Sequence, residues 1–463
     1  MQITEDLKTK HFVVLGAGPA GMGAAYELVQ QGATNVTVID RNDRAGGLAR
    51  TFSFEGYRFD VGPHRFMTKY AEVEELWKKT LGDDLLVRPR LARIYYGGDF
   101  YEYPLKVPNV LRNLGVWGSL MAGLSLARAK VAWRGRQPKN FAEWTTKTFG
   151  DRMSNAFFRH YFKKVWGIEA KDVGIDWAQQ RIKQISLWDF FGKKFREFIW
   201  QQRTENIGKT FYYPRHGAGT FYEKLQEQLE AVGVRFLFDR EVTAVQHTGT
   251  TRITNVTAVH EGVEETHQGD VFISSIPTNF FIGEMSPSAP AHILEQLGAM
   301  RFRGHIAVNA IIDRESLFPD SWLYVQSPQF RIARIGNYGA FSPDMLGNPK
   351  TSSIGIEFYC FADDDFWKLS DGELTELAVK ELVELGFIKR EEFISAFVVR
   401  HRDAYPTYYL GYQEAFMHLR EFLTSYTNLS LIGRAGMYKY KDQDHALYSG
   451  MLAVRNLFGE QHD

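Results

Sequence analysis

The hexapeptide Gly16-Ala17-Gly18-Pro19-Ala20-Gly21 constrains this chain more than any other stretch, because of what flanks it. Before it, His11 to Leu15 (HFVVL) is a short apolar run of the kind that forms a buried strand. After it, Ala20 to Gln31 carries helical periodicity, and Asn35 to Asp40 (NVTVID) reads as a second strand. Each glycine then has its own reason. Gly16 permits a tight turn, Gly18 lets the backbone approach a pyrophosphate, and Gly21 lets the helix pack on the strand while its N-terminus faces the phosphates. Asp40, closing the second strand, stands where a carboxylate meets a ribose hydroxyl. Strand, helix and acid are in register for a dinucleotide-binding βαβ unit.

The whole chain, 463 residues of which 44% are hydrophobic, is long enough for two or three domains. Fifty-five basic residues balance fifty-five acidic ones, so no global charge draws the protein to nucleic acid. Cys360 is the only cysteine, which excludes an intrachain disulfide and a cysteine-based metal cluster and fits a reducing compartment. With a polar Met1 to Lys10 unlike a signal peptide, the cytoplasm is the expected location. The longest apolar run, Leu114 to Ala127, falls short of the roughly twenty residues of a membrane-spanning helix. It reads as a buried helix or a lid with solvated basic ends; peripheral contact with anionic lipid is the alternative, suggested by Arg112, Arg128, Lys130, Arg134 and Arg136. His160, His216, His401 and His445 lack metal-ligand spacing, so no metal is expected.

Arg41 to Thr51 (RNDRAGGLART) decides which dinucleotide is meant. It resembles the second glycine motif of the FAD-dependent amine oxidase and protoporphyrinogen oxidase superfamily, in which Arg-x-Gly-Gly follows the ribose-binding acid. The resemblance implies a non-covalent FAD held by Gly16, Gly18, Pro19, Ala20, Gly21, Asp40, Arg41, Gly46, Gly47 and Leu48, with Arg44 and Arg50 adding charge near the diphosphate. Val242, on a strand read over Glu241 to Gln246, joins the expected cofactor-binding positions. Asp60 to Phe66 (DVGPHRF), with YEYPL at 101–105, is similar to a segment of the UDP-galactopyranose mutases that crosses the flavin, which implies His64 at the ring. Phe162 to Ile182 resembles the mutase stretch facing a sugar nucleotide and points to Trp166 and Arg181. Arg334 or Arg331, in FRIARIGNY, stands for a second arginine of that family, the register being open. Tyr213 to Thr220 (YPRHGAGT) matches the loop by which the chain re-enters the flavin domain.

Gly433 to Asp444 (GRAGMYKYKDQD) is similar to the mutase pattern of Gly-Arg, tyrosines and Asp-x-Asp at the start of the last helix. There Gly433, Arg434 and Asp444 are expected at the cofactor, with Asp444 capping the helix, and Tyr438 at the reacting centre. Ala435 replaces a common leucine and Lys441 a usually aromatic residue.

The implied fold is α/β: a discontinuous, glutathione-reductase-like Rossmann FAD domain from residues 1–69, 206–285 and 396–463. A helical insert over 70–205 and an antiparallel substrate sheet over 286–395 interrupt it. The expected function is an FAD-dependent oxidoreductase moving hydride from a small anionic substrate to flavin N5. The alternative is a redox-neutral nucleotide-sugar mutase that uses reduced FAD as a nucleophile. For either, Arg181, Arg331, Arg334 and Arg434 with Tyr405, Tyr438 and Tyr440 suit an anionic substrate. A flavin-binding scaffold without catalysis is the third reading, and the oligomeric state is left open.

Overall fold

The expected first unit is present as strand β1 (His11–Leu15), helix α1 (Pro19–Gln30) and strand β2 (Asn35–Ile39). They belong to a computed structural model that describes residues 7–174, 210–249 and 251–462. Next come β3 (Thr51–Phe54), β4 (Tyr57–Asp60), α2 (Ala71–Leu81), β5 (Leu85–Pro89), β6 (Ala92–Tyr96) and β7 (Asp99–Glu102). Helices α3 (Val107–Ala132), α4 (Phe141–Phe149) and α5 (His160–Trp166) follow. Then β8 (Thr210–Pro214) and α6 (Gly219–Glu230) precede β9 (Arg235–Leu237), β10 (Glu241–Thr248), β11 (Arg252–His260), β12 (Val263–Gln268) and β13 (Val271–Ser274). Beyond these lie β14 (Met285–Ser286), β15 (Phe302–Ile312), β16 (Trp322–Val325), β17 (Arg334–Asn337), β18 (Ser352–Cys360), α7 (Asp371–Glu384) and β19 (Phe393–Pro406). The chain closes with α8 (Tyr412–Thr424), β20 (Leu429–Leu431) and α9 (Gln443–Leu457).

Five of these strands form a parallel sheet in the order β20-β13-β1-β2-β9. Phe12, Val13, Val14 and Leu15 are fully buried, which explains the unbroken apolar run: a parallel strand covered on both faces has no polar side to present. A seven-stranded sheet, β19-β15-β18-β17-β16-β6-β7, is antiparallel except where β16 meets β6. The architecture is therefore mixed α/β with several sheets. Two features differ from the sequence reading. Residues 85–102, inside the stretch read as helical, supply three strands, and β8 pairs with β5 and not with the parallel sheet.

The last helix returns to the first. A Cβ on Gly23 of α1 would lie 2.1 Å from the Leu447 carbonyl oxygen, and one on Gly450 of α9 would lie 2.0 Å from that of Ala20. The two helices touch backbone to backbone, an approach only glycine allows. Arg455 of α9 fixes the same junction, donating Nε and Nη2 to the two Glu27 oxygens of α1 at 3.0 and 3.1 Å and reaching Glu72 of α2 as well. Asp60 plays a similar part for the re-entry loop. Its buried carboxylate accepts from the Thr51 and Tyr213 hydroxyls and from the Ala218 amide.

Helix α3 departs furthest from expectation. Of the readings open to it, a buried helix is excluded: it exposes Val116, Trp117, Leu120, Leu124 and Val131 and turns its small residues Gly118 and Ala129 inward. Periodicity shows that a helix is amphipathic, and not which face the protein covers.

Replacing Arg455 with methionine should destabilise the chain by about 3 kcal/mol, because Glu27 is left charged, buried and without its guanidinium. Urea denaturation checks this. A midpoint within error of the parent would show that the α1–α9 junction does not depend on the pair.

Candidate active site

At the end of β1 the backbone turns at Gly16 with φ +102, and a Cβ there would sit 2.2 Å from Ser275 Oγ. The turn is tied down from both sides, Gly16 N–H donating to Ile39 O at 2.8 Å and Ala17 N–H to Asp40 Oδ2 at 2.6 Å. Asn42 donates its backbone and side-chain N–H groups to the other Asp40 oxygen. The second glycine motif folds onto the first: Gly46 N–H donates to Ala17 O, and a Cβ on Gly47 (φ +56) would come within 3.0 Å of Gly18 Cα. The helix α1 starts at Pro19, with Gly18 as its cap residue and amides free of a side-chain cap.

These pieces line one cleft. Gly16, Gly18, Pro19, Ala20, Asp40 and Arg41 form part of its wall, with Gly47 and Leu48 beside them. Val242, His64, Gly433 and Arg434 complete it from the other segments. Gly18 is the informative glycine for the cofactor. Its φ is −71 and a Cβ there would meet nothing in the protein nearer than Gly47 Cα at 3.8 Å, so neither strain nor the fold requires glycine. A ligand backing onto that Cα would. By contrast Gly21 is structural, since its Cβ would fall 1.7 Å from Gly16 O. The cradle thus fits a dinucleotide whose diphosphate meets the open start of α1.

Other expected residues are placed differently. Arg50 is buried and holds the loop internally, donating to Gly47 O and Asp43, while Arg44 pairs with Asp43 at the surface. Asp444 is buried against His445, and Asp442 occupies the cap position of α9. Gln443, given no role in the sequence reading, reaches from the start of α9 to the carbonyls of His64 and Arg65 and so pins the loop that carries His64.

Across the cleft, β17 lays Arg334 directly opposite Glu357 of β18. Two parallel bonds of 2.8 and 2.7 Å join them, and His305 and the Tyr359 hydroxyl also engage Glu357. Burial alone would raise the Glu357 pKa, but Arg334 and His305 hold it down at about 2, so the carboxylate is ionised. Arg331, three residues earlier, lies instead over the Phe366 ring. His64 stands near this pair, and burial together with the Arg434 and Arg334 charges pushes its pKa down to about 3.

Arg434 lies over the rings of Tyr405 and Tyr440, 5.0 and 4.6 Å from their centroids, and those rings stack on one another. Among the described residues its guanidinium donates only to the carbonyls of Lys441 and Ala404. Trp166 packs behind the same two tyrosines. Tyr438, expected at the reacting centre, is buried instead, its hydroxyl donating to Arg301 O and Thr407 O at 2.8 Å each. Arg181 lies outside the described residues.

Sequence reasoning passed over a second cationic group. Arg65, beside His64, lies over Trp322, and Arg90 lies over Tyr103. Arg65 Nη1 and Arg90 Nε are buried without a hydrogen-bond partner, and neither arginine has a carboxylate partner among the described residues. Burial and the Arg65 charge lower the Arg90 pKa. Tyr324 packs against both Tyr103 and Tyr161, and Tyr161 in turn feels the Arg334–Glu357 pair, so the two cationic groups flank one aromatic wall. The adjacency of Arg65 to His64 was the available signal.

Gly18→Val should fold like the parent yet purify with at least tenfold less bound flavin, an estimate of order about 1.4 kcal/mol or more. Absorbance and circular dichroism check the two halves. Retained flavin would make the glycine incidental. The lowered His64 pKa means that its neutral form is favoured by folding. That stabilisation is complete above about pH 6.5, the usual imidazole value, and is lost as pH falls toward 3. His64→Gln should flatten acid unfolding in that window; an unchanged pH slope would contradict the placement.

Comparison with known proteins agrees with this geometry. The family described as flavin containing amine oxidoreductase matches residues 19–457. A 1-hydroxycarotenoid 3,4-desaturase from Flavobacterium sp. (strain P99-3) is 24% identical over 296 residues, 58% of this chain and 56% of that protein. The chain thus spans about half the length of that relative. The structure of a reduced UDP-galactopyranose mutase superposes with a TM-score of 0.83 at 21% identity, covering 97% of this chain and 94% of the other. One described as a protoporphyrinogen oxidase from Exiguobacterium sp. 255-15 gives 0.74 at 18% identity, covering 98% and 99%. At these identities the structural likenesses speak to the fold. The family match spans nearly the whole chain, and the protein belongs to the flavin containing amine oxidoreductases as a flavoenzyme with FAD as its cofactor.

Proposed function

We propose that the enzyme is an oxidoreductase of the protoporphyrinogen oxidase and amine oxidase type acting on a small anionic substrate, with a non-covalent FAD in a glutathione-reductase-like Rossmann domain. One observation carries the reading: the wall beside the cleft holds three guanidinium groups, on Arg434, Arg65 and Arg90, with no carboxylate partner among the described residues. Half-buried charge of one sign is costly unless a ligand of the other sign meets it. A protonated amine would meet repulsion there, whereas a phosphate or carboxylate would gain charge-assisted hydrogen bonds.

Gly16, Gly18 and the start of α1 would hold the diphosphate, Asp40 a ribose, and Gly433 with Gln443 the far end of the cofactor. Flavin supplies a hydride acceptor at N5 or, when reduced, a nucleophile there. The protein orients the substrate and sets the local charge. Glu357 neutralises Arg334 and fixes it under the His64 loop, so Arg334 acts as a positioning residue. Neutral His64 offers a hydrogen bond without adding a further positive charge. Arg434, held against the Tyr405 and Tyr440 rings, is the group available to an anion.

The Arg434–Tyr405–Tyr440 arrangement also favours a second reading, a redox-neutral mutase of a nucleotide sugar, in which these residues and Arg65 and Arg90 would hold a diphosphate. Anaerobic titrations followed through the flavin spectrum distinguish the two. Reduction of the flavin by a carboxylate- or phosphate-bearing substrate, without added reductant, supports the oxidoreductase. A response of the reduced enzyme to UDP, with turnover and no net electron transfer, supports the mutase. In either case Arg434→Gln or Arg90→Gln should weaken ligand binding about 10- to 100-fold, the worth of a charge-assisted bond. If both variants bind every responding ligand like the parent, the anionic-substrate reading fails.

A further inference from the structure

Helix α3 inverts the usual pattern of a surface helix. Beyond Gly115 its buried positions are small: Gly118 and Ala129 are buried, Ser125 accepts the Arg152 N–H, and a Cβ on Gly150 would lie 2.7 Å from Leu126 N. That smallness lets α3 lie close on the segment that follows it. Its bulky apolar residues point outward. Val116 is 91% exposed, Trp117 73%, Leu120 52%, Leu124 46% and Val131 78%. Val116, Leu120, Leu124 and Val131 recur at helical spacing, so they make one stripe and not scattered positions. Gly115, at φ +65, breaks the helix just before the stripe and sets it apart from the first turns.

Charge around the stripe is one-sided. Between Glu102 and Glu143 the chain carries seven Lys and Arg residues and no Asp or Glu. Arg112, Arg128, Lys130, Arg134 and Arg136 are exposed, and none of the five has an ion-pair partner among the described residues. An apolar ridge that includes a tryptophan, flanked by unpaired cations on flexible stems, matches a bilayer interface: acyl chains for the ridge, anionic headgroups for the rim. A protein partner with an apolar groove would satisfy the ridge alone. No helix among the described residues is long and apolar enough to cross a membrane.

We propose that α3 is a lipid-docking surface that seats the enzyme on an anionic membrane leaflet, its apolar ridge inserted shallowly and its cations at the headgroups. The first turns of the same helix, before Gly115, reach the aromatic wall beside the arginines, since Val110 and Leu114 pack in the same cluster as Tyr324. The inference does not depend on which reaction the flavin performs.

Full-length, FAD-loaded protein is co-sedimented with vesicles of phosphatidylcholine alone and of phosphatidylcholine with an equal part of phosphatidylglycerol. Binding is expected to the anionic vesicles and to weaken with salt. Combined Arg128→Gln, Lys130→Gln and Arg134→Gln should weaken it about a hundredfold. Combined Trp117→Ser and Leu120→Ser should abolish stable binding while flavin content stays at the parent level. The proposal is overturned if the parent ignores anionic vesicles or if the serine variant binds like the parent. A lipid-free dimer that the serine variant disperses would assign the ridge to a second copy. Strong protection of the ridge amides from hydrogen exchange in a lipid-free monomer would assign it to another part of this chain; both outcomes also overturn the proposal.

Discussion

The contact of α9 with α1 organises the molecule. Gly23 and Gly450 bring the two backbones together, and Gly433 approaches Ala20 closely enough that a Cβ would sit 2.8 Å from the alanine's own. Through that contact, residues more than four hundred positions apart in the chain form two walls of one cleft. The same return places Gln443 at the His64 loop and brings Arg434, like Arg334, close enough for its charge to act on His64. Loosening this junction would therefore be felt at once in the cofactor cradle and in the residues facing the substrate. The Arg455–Glu27 pair adds direction to a contact that glycine alone leaves smooth.

Much of the cradle was legible in sequence because it is backbone chemistry. A turn at positive φ and a carboxylate at the end of a strand each demand a residue type at a fixed offset, and Gly16 and Asp40 meet those demands, while Gly18 leaves the start of α1 open. The close approach of Gly23 to Gly450 was not legible, since a glycine inside a helix reads only as a weak helix former. Side-chain direction around the site was equally hidden. Tyr438 and Tyr440 share one motif, yet the turn at Tyr438, with φ +44, sends the first ring into the core and leaves the second at Arg434. Arg331 and Arg334 could be told apart only by strand pairing, which sets Arg334 across from Glu357. For α3, the apolar run and its basic flanks gave a helix but could not say which side the protein would cover.

Charge sets the chemistry that the cavity accepts. Glu357 spends its charge on Arg334 within the protein, and His64 stays neutral, so the wall remains cationic through Arg434, Arg65 and Arg90. Membership in a family named for amine oxidation thus coexists with the proposed preference for an anion. Function follows the site, and the fold is shared by many chemistries.

The central claim is that this cationic wall selects anions. Its most direct test is the equilibrium affinity of the FAD-loaded enzyme for UDP, benzoate and benzylamine at low ionic strength, read from flavin absorbance. The account predicts that at least one of the anions perturbs the flavin and binds at least tenfold tighter than benzylamine, about 1.4 kcal/mol. Benzylamine binding as tightly as both anions, or no response to either anion, would contradict it.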